Sequence, residues 1–260
     1  AIRRLGAEPL ETGIGKTYRE LLEVLKEERP QTFVGMPVPL LSLLRLEGEK
    51  SSLRRALVSA DACPKTVMAE IEARLGSRLY PHYGSRELGL GGAVTCPAFS
   101  GMHLRENDII AEIVDEAGRP LPRGQWGELV ITTVQAEAMP LVRYRTGDYT
   151  RLMPKLCPCG SPLARLDRVV RLGEKSWMER LDSAVFAIPE ILDYRAVLEE
   201  KMLHLEGYVT RPCQDLPSKL LGYPVRWELS PFSEESGPCY TAKRSIRQVC
   251  SCDCRERGIQ

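Results

Sequence analysis

Two pairs of metal-binding side chains lie far apart in this sequence. Cys96 and His103 form the first pair, and Cys157 and Cys159 form the second within a Cys-Pro-Cys sequence. Three thiolates and one imidazole are typical ligands of a closed, tetrahedral Zn²⁺ site, in which the ion stabilises the fold and leaves no open position for a substrate. The alternative interpretation is a set of buried free cysteines beside a surface histidine, because a Cys-x-Cys pair alone is not specific for metal.

Two carboxylates, Glu87 and Asp148, lie in segments that the sequence predicts to be turns beside strands. A carboxylate at the carboxyl end of a parallel strand can reach a metal ion at the open end of the sheet, and Glu87 is predicted to be in such a place. Asp148 follows a Thr-Gly turn, from which its carboxylate can accept hydrogen bonds from a ligand. The alternatives are a solvated turn residue for Glu87 and a turn-stabilising role for Asp148.

The elements that would position these groups alternate between strand and helix up to about residue 92. Helices are indicated by apolar residues at helical spacing with proline or glycine at their ends, and strands by short apolar runs. Alternation at this spacing favours a parallel sheet covered by helices. The predicted order is helix 17–28, strand 31–36, helix 37–46, strand 55–61, helix 64–76 and strand 78–85.

A β-rich section is predicted for residues 93–170, because apolar and polar residues alternate there. This section is expected to form a small antiparallel β-barrel or sheet. Its predicted strands are 109–115, 126–134 and 139–145, and the RTGD sequence at 145–148 is predicted as a turn.

Two domains are expected. Residues 1–170 would form the first, which is α/β to about residue 92 and β-rich thereafter. Residues 171–260 would form a small α/β terminal domain that ends in a frayed, cysteine-rich tail. The predicted fold class is therefore α/β: a parallel sheet with covering helices, then an antiparallel β section and a small α/β domain.

The composition excludes several classes of function. The chain has 260 residues, of which 43% are apolar, so it can bury a sizeable core. Its 36 Lys and Arg residues balance 35 Asp and Glu residues, which gives no basis for holding a nucleic acid by bulk charge. No apolar run approaches the roughly 20 residues that span a bilayer, and the first residues lack the apolar core of a secretory signal. Nine cysteines in this arrangement favour reduced thiols and a cytoplasmic location.

Two groups of motifs resemble those of the adenylate-forming enzyme superfamily. Residues 83–87, Tyr-Gly-Ser-Arg-Glu, resemble its Tyr-Gly-x-Thr-Glu motif, with Arg86 at the position where threonine is usual. Residues 127–130 (GELV) and 144–148 (YRTGD) are similar to its second motif pair. Their order and spacing along the chain match the family pattern.

A third group of residues looks like the phenylacetate–CoA ligase branch of that superfamily. Residues 157–160 read Cys-Pro-Cys-Gly and lead into Arg-Leu-Asp-Arg-Val at 165–169. The resemblance covers the chain from its first residues to about Lys243 and corresponds to the carboxyl-terminal part of such an enzyme. Similar cysteine and histidine residues occur at the same place in many relatives of this branch.

The resemblance implies an ATP-dependent ligase that joins a carboxylic acid to coenzyme A through an acyl-adenylate. Glu87 would bind Mg²⁺, Asp148 would accept hydrogen bonds from the ribose, and Tyr83 would flank the adenine. Gly84 and Ser85 belong to the same nucleotide-binding segment. Both reactants are anions, so such a site must supply cations and hold the reactants in position.

Two more residues take roles from the resemblance. Lys243 would swing in on a mobile terminal domain to contact the carboxylate and the phosphate during adenylation, and its alternative is an exposed surface lysine. Arg171 lies where the family has a Gly-Arg-x-Asp-Asp hinge and would contact the ribose. The chain reads VVRLGEK there, without the glycine and the paired aspartates, so the hinge pivot is altered.

His82 would either line the acyl pocket or serve as a structural histidine.

The family's Ser/Thr/Gly-rich phosphate loop occurs nowhere in these residues. The nearest sequence, GIGKTY at 13–18, lacks the first glycine of a Walker loop and does not follow a buried strand. Because backbone amides around the phosphates supply much of the binding energy, this chain is expected to bind ATP poorly and to be inactive alone.

Two hypotheses of different classes follow. The first is a carboxylate–CoA ligase for an aryl or arylacetic acid, present here as a fragment that uses ATP, Mg²⁺, coenzyme A and a structural Zn²⁺ ion. The second is a non-catalytic remnant of the same fold that acts as a zinc-stabilised binding or regulatory module. Neither hypothesis needs a nucleic acid or a membrane as a partner. Both leave open whether the chain forms a homodimer.

Overall fold

The computed structural model describes residues 2–10, 12, 15–48, 51–89, 91–134, 139–171, 174–233 and 246–249 of the chain. Within these residues the helices are α1 (Tyr18–Glu28), α2 (Pro37–Glu47), α3 (Lys65–Leu75) and α4 (Glu174–Val185), with short 3-10 helices at Ile2–Leu5 and Arg86–Leu88. The strands are β1 (Thr32–Gly35), β2 (Arg55–Val58), β3 (Tyr80–Tyr83), β4 (Ala93–Thr95), β5 (Met102–Leu104), β6 (Ile109–Val114), β7 (Gly127–Thr133), β8 (Tyr144–Thr150), β9 (Arg165–Leu166), β10 (Val170–Arg171), β11 (Ile191–Glu199), β12 (Met202–Val209), β13 (Lys219–Leu220), β14 (Tyr223–Pro231) and β15 (Ile246–Val249).

The first helix begins and ends with local signals that the sequence carries. The Thr17 side chain accepts a hydrogen bond from the backbone N–H of Glu20, and the Glu20 carboxylate accepts one from the Thr17 N–H at 2.7 Å. This capping box satisfies two backbone N–H groups that the first turn leaves without a helical partner. Helix α3 ends at Gly76, whose φ of 65° is the left-handed conformation that glycine adopts without strain. The three predicted helices of this section are confirmed.

The first sheet has the strand order β1-β2-β3-β4-β5-β9. Strands β1, β2 and β3 are parallel, with α2 and α3 as the connections between them, so the predicted parallel sheet with covering helices is confirmed. Strands β4, β5 and β9 continue this sheet in antiparallel pairs. The carboxyl ends of the parallel strands therefore lie at the same edge, next to the turn that follows Tyr83.

The second sheet is antiparallel and has the order β10-β8-β7-β6. The predicted strands at 109–115 and 126–134 are present as β6 and β7. The predicted strand at 139–145 is wrong, because β8 begins only at Tyr144 and runs through the RTGD sequence that was predicted as a turn. Pro140 has no N–H to donate to a strand partner, and Arg143 has a φ of 49°, so these residues form the connection before the strand.

The third sheet, with the order β13-β14-β12-β11-β15, packs on the helices of the first. Helix α2 is buried from Pro37 to Arg45 because it lies between the first sheet and this terminal layer. One hydrophobic core contains residues from both sides, including Leu41 and Ile71 on one side and Leu181 and Leu205 on the other.

Polar contacts accompany this shared core. The Arg45 side chain is only 1% exposed and donates to the backbone carbonyls of Phe186 (2.7 Å), Ile188 (3.1 Å) and Ile191. The same guanidinium donates to the Glu70 carboxylate at 3.0 Å from Nε, so each of its nitrogens has a partner. The arginine thus satisfies carbonyls at the carboxyl end of α4 and joins the terminal layer to α2.

None of the helices in the described part of the chain has the length and apolar character needed to cross a bilayer.

Candidate functional site

Tyr83 and Asp148 meet where the two sheets approach each other. The Tyr83 hydroxyl donates to Oδ2 of Asp148 at 2.7 Å, although the two residues are 65 positions apart in the chain. Asp148 is 2% exposed, and Tyr83 is half-buried. In the second sheet Asp148 is paired with Arg171 of β10, so the structure brings three sequence-predicted site residues to one place.

Glu87 lies in the short 3-10 helix that follows β3, and a tyrosine outside our predicted site contacts it. The Tyr144 hydroxyl is 3.4 Å from Oε1 of Glu87. Tyr144 is the first residue of the YRTGD sequence, so its motif was recognised although its side chain was not singled out. The carboxylates of Glu87 and Asp148 therefore each have a tyrosine hydroxyl beside them.

The turn between Tyr83 and Glu87 has little space beside Gly84, and it contains the buried hydroxyl of Ser85. A Cβ at Gly84 would lie 3.1 Å from Cε1 of His82 and 3.3 Å from the Cα of Gly91, so a larger residue would be crowded there. Oγ of Ser85 is buried and has no hydrogen-bond partner among the described residues. A buried hydroxyl of this kind normally has a hydrogen-bond partner.

His82 is held at the carboxyl edge of the parallel strands. Its Nδ1 lies 2.8 Å from Oγ of Ser59, the residue that follows β2. Burial lowers the pKa of His82, so the imidazole is neutral at neutral pH. Ser59 was not singled out in the sequence, because its neighbour in space, His82, lies in a different strand.

The four predicted metal ligands form one cluster. One candidate ligand atom from each of Cys96, His103, Cys157 and Cys159 lies within 4.8 Å of the others. The sulfurs of Cys96 and Cys157 are 3.6 Å apart, and Sγ of Cys159 is 3.4 Å from Nε2 of His103. A tetrahedral ion with Zn–S bonds of about 2.3 Å holds two sulfur ligands about 3.8 Å apart, so the spacing fits zinc coordination. The sulfur separation is too long for a disulfide bond.

The sheet explains how distant residues reach this cluster. Cys96 follows β4, and His103 lies at the centre of β5, the strand paired with β4. The loop that carries Cys157 and Cys159 is held by Arg165, which is 2% exposed. Arg165 donates to Oγ of Ser100 at 2.7 Å and to the backbone carbonyl of Lys155, and this tie was not predicted from the sequence.

The electrostatics of the cluster favour a thiolate. Burial opposes ionisation of Cys157, but hydrogen bonds from the Cys159 backbone N–H and from Cys159, Cys96 and His103 lower its pKa to about 6. The pKa of Cys159 is raised, because the contacts with Cys157 and burial outweigh a hydrogen bond from the Ser161 backbone N–H. A thiolate is the form of cysteine that binds metal, so the donor chemistry fits Zn²⁺.

Lys243 lies outside the described residues, as does the cysteine-rich tail. Arg171 is described through its backbone pairing with Asp148 and not through its side chain.

Comparisons with known proteins show which enzymes the chain resembles. A family profile described as "AMP-binding enzyme" matches residues 12–137. Phenylacetate–coenzyme A ligase from Thermus thermophilus is 30% identical over 201 residues, which cover 71% of this chain and 45% of that protein. The corresponding ligase from Escherichia coli K12 is 34% identical over 176 residues, which cover 64% of this chain and 39% of that protein. Over these residues the chain is similar to the adenylate-forming enzymes, and to the phenylacetate–coenzyme A ligases in particular.

Solved structures of ligases share the fold of this chain. A 2-hydroxyisobutyryl-CoA ligase in complex with 2-HIB-AMP aligns with a TM-score of 0.65 and 18% identity, over 89% of this chain and 57% of that one. A benzoate CoA ligase from Burkholderia xenovorans LB400 aligns with a TM-score of 0.51 and 18% identity, over 83% and 50%. The chain spans less than half the length of the two phenylacetate–coenzyme A ligases.

Proposed function

We propose that this chain forms the carboxyl-terminal part of the adenylating site of a carboxylate–CoA ligase. The observation that carries this proposal is the contact between Tyr83 and Asp148. It joins the Tyr-Gly motif to the YRTGD motif, which are separate in the sequence but serve one nucleotide in the resemblance. The related phenylacetate–coenzyme A ligases support an aryl or arylacetic acid as substrate and coenzyme A as acceptor.

Each side chain of the proposed site has a role that its chemistry allows. Asp148 would accept hydrogen bonds from the ribose hydroxyls, and Arg171 would lie beside the same sugar. The Tyr83 ring would flank the adenine, with Gly84 and the unpartnered hydroxyl of Ser85 along the nucleotide. Glu87 would hold Mg²⁺, which neutralises phosphate charge when it is bound.

Lys243 completes the proposed catalytic set from outside the described residues. Its ammonium group would meet the negative charge that develops when the carboxylate attacks the α-phosphate and pyrophosphate leaves. A preorganised charge at such a position typically contributes about 10²–10³ in rate.

We propose a structural zinc ion for the four-residue cluster. The donor set and the spacing of its ligand atoms support this assignment, and four protein ligands leave no position for a substrate. Cysteines that bind zinc as reduced thiolates agree with the prediction of a cytoplasmic protein. The homodimer stays a prediction.

The second candidate function is a non-catalytic, zinc-stabilised binding module of the same fold. The cluster of four metal-binding side chains supports this function as well as the first. Both functions predict zinc, but only the first predicts a nucleotide site built on Asp148.

The discriminating experiment measures AMP binding to the 260-residue chain by calorimetry. The adenylating site predicts weak but measurable binding that Asp148→Asn reduces at least about tenfold, because a hydrogen bond to a charged group contributes about 1.5–3 kcal/mol. Asp215→Asn is the matched control, since Asp215 lies in the terminal layer between β12 and β13 and its left-handed backbone accepts asparagine. Absence of AMP binding, or equal affinity in Asp148→Asn, would favour the binding module.

A further inference from the structure

We infer that Glu128 is a positioning residue for Asp148, although it would not touch the nucleotide. The pairing between β7 and β8 is interrupted at this point. Glu128 is paired with Tyr149 and Val130 with Arg145, so Leu129 alone lies opposite the three residues 146–148. This bulge redirects β8 just before Asp148, which is a common use of bulges beside functional sites.

The Glu128 carboxylate spans the bulge with both of its oxygens. Its Oε1 accepts a hydrogen bond from the backbone N–H of Gly147 at 3.2 Å, and its Oε2 accepts one from Nε of Arg145 at 2.8 Å. The Glu128 side chain is 12% exposed, which strengthens both contacts relative to a pair in open water.

The remaining groups of the bulge are satisfied locally. Oγ1 of Thr146 donates to the Leu129 carbonyl at 2.8 Å and accepts from the Asp148 N–H at 3.1 Å. Gly147 has a φ of +70°, which a residue with a Cβ rarely adopts. Glu128 therefore supplies the hydrogen bond that the Gly147 N–H would otherwise lose by leaving the ladder.

The position of Asp148 depends on this arrangement. Its carboxylate can meet the Tyr83 hydroxyl only if the backbone of residues 146–148 keeps its bulged form. This step rests on the proposed function. If Asp148 binds the ribose, Glu128 controls the affinity for the ribose through the backbone of residues 146–148. It also explains why a GELV sequence and a YRTGD sequence occur together, because the glutamate of the first holds the backbone of the second.

The competing explanation is that Glu128 only forms an ion pair with Arg145. Arg145 is 53% exposed, so this ion pair contributes little by itself. The two explanations separate in variants, because Arg145→Gln removes the charge pair and keeps the Gly147 contact. Glu128→Gln keeps an acceptor oxygen for Gly147 and removes the charge. Glu128→Ala removes both contacts.

The first measurement needs no ligand. Amide hydrogen exchange at Gly147, followed by NMR in the 260-residue chain, should accelerate at least about tenfold in Glu128→Ala, because a hydrogen bond to a carboxylate is lost. Glu128→Gln and Arg145→Gln should stay within about threefold of the parent chain, since the acceptor remains. Unchanged exchange in Glu128→Ala, or equal acceleration in Arg145→Gln, would overturn the inference.

The second measurement is AMP affinity in the same variants. Glu128→Ala should weaken binding about tenfold and Glu128→Gln should restore most of it. If the parent chain binds AMP and Glu128→Ala binds it equally, the inference is wrong. If the parent chain does not bind AMP, the proposed ribose site fails, while exchange at Gly147 still decides the role of Glu128. Should Glu128→Ala not fold, Glu128→Asp replaces it, because its shorter side chain draws the carboxylate away from Gly147.

Discussion

The Tyr83 hydroxyl donates to Oδ2 of Asp148 and so occupies one of the acceptor positions of the carboxylate at which a ribose hydroxyl could bind. The Asp148 side chain is almost fully buried, which makes each of its hydrogen bonds count more than it would in water. At the scale of single residues, the competition between Tyr83 and the sugar therefore sets part of the nucleotide affinity.

Tyr83→Phe tests that competition. The variant keeps the aromatic ring and removes the competing hydroxyl, so AMP affinity should rise about threefold to tenfold, as expected for the net contribution of one hydrogen bond. Calorimetric titration with AMP is the measurement. Tyr149→Phe is the control, since Tyr149 stacks on Trp126 with ring centroids 5.8 Å apart. A large loss of affinity in Tyr83→Phe would show instead that the hydroxyl contacts the nucleotide.

The zinc ligands give the second prediction at the residue scale. Purified protein prepared without chelators should contain about one zinc per chain by elemental analysis, and Cys157→Ser should remove it and lower thermal stability. Zinc retention should also fall as the pH is lowered, because protons compete with the ion for the thiolates and the imidazole. Cys213→Ser, in the terminal layer, is the control. Zinc-free protein at neutral pH would refute the assignment.

At the scale of elements, α2 is the helix on which two layers depend. The sequence PVPLLSLLRLE is apolar on nearly all sides, and the structure buries it between the first sheet and the terminal layer. Two of its three polar residues, Ser42 and Arg45, serve the same contact. Oγ of Ser42 donates to the Leu192 carbonyl at 2.5 Å, and Arg45 donates to three further carbonyls of the terminal layer.

Arg45→Met should therefore destabilise the fold by about 3 kcal/mol, because buried carbonyls and part of the Glu70 carboxylate lose their partner. Arg74→Met is a matched control on the same carboxylate, since Arg74 is 33% exposed and its ion pair should contribute under about 1 kcal/mol. Urea unfolding followed by tryptophan fluorescence measures both variants. An unchanged midpoint in Arg45→Met would mean that the terminal layer does not depend on this contact.

At the scale of the whole molecule, the described terminal layer shares its core with the α/β layer. A swinging terminal domain is expected of this family, and the hinge sequence is altered in this chain. A boundary at residue 171 stays a prediction. Any rotation of residues 174–233 as a unit would have to break the Arg45 and Ser42 contacts and expose apolar surface, which costs free energy.

The missing phosphate loop gives the prediction at this scale. The 260-residue chain should show no ATP–pyrophosphate exchange with phenylacetate or benzoate, because adenylation requires the β- and γ-phosphates to be held. A full-length phenylacetate–coenzyme A ligase serves as the positive control in the same radiochemical assay. Exchange above background in the short chain would show that the phosphate loop is dispensable here.

The amino-acid sequence by itself determined the elements of the first section and the family resemblance. Capping residues, proline and glycine at helix ends, and apolar spacing act over a few residues, so α1, α2 and α3 follow from local pattern. Motifs such as YGSRE and YRTGD keep their order in the chain, so the resemblance did not need coordinates.

Only the tertiary structure decided how these residues meet. The prediction of a strand at 139–145 was wrong, because the alternation of apolar and polar residues does not reveal the left-handed backbone of Arg143 or the bulge in β8. Three sets of contacts join residues that are separate in the chain: Tyr83 with Asp148, Glu128 with Gly147, and Arg45 with the carbonyls of the terminal layer. Such contacts depend on strand register and on which layers pack together, and both are set by burial of the common core rather than by local sequence.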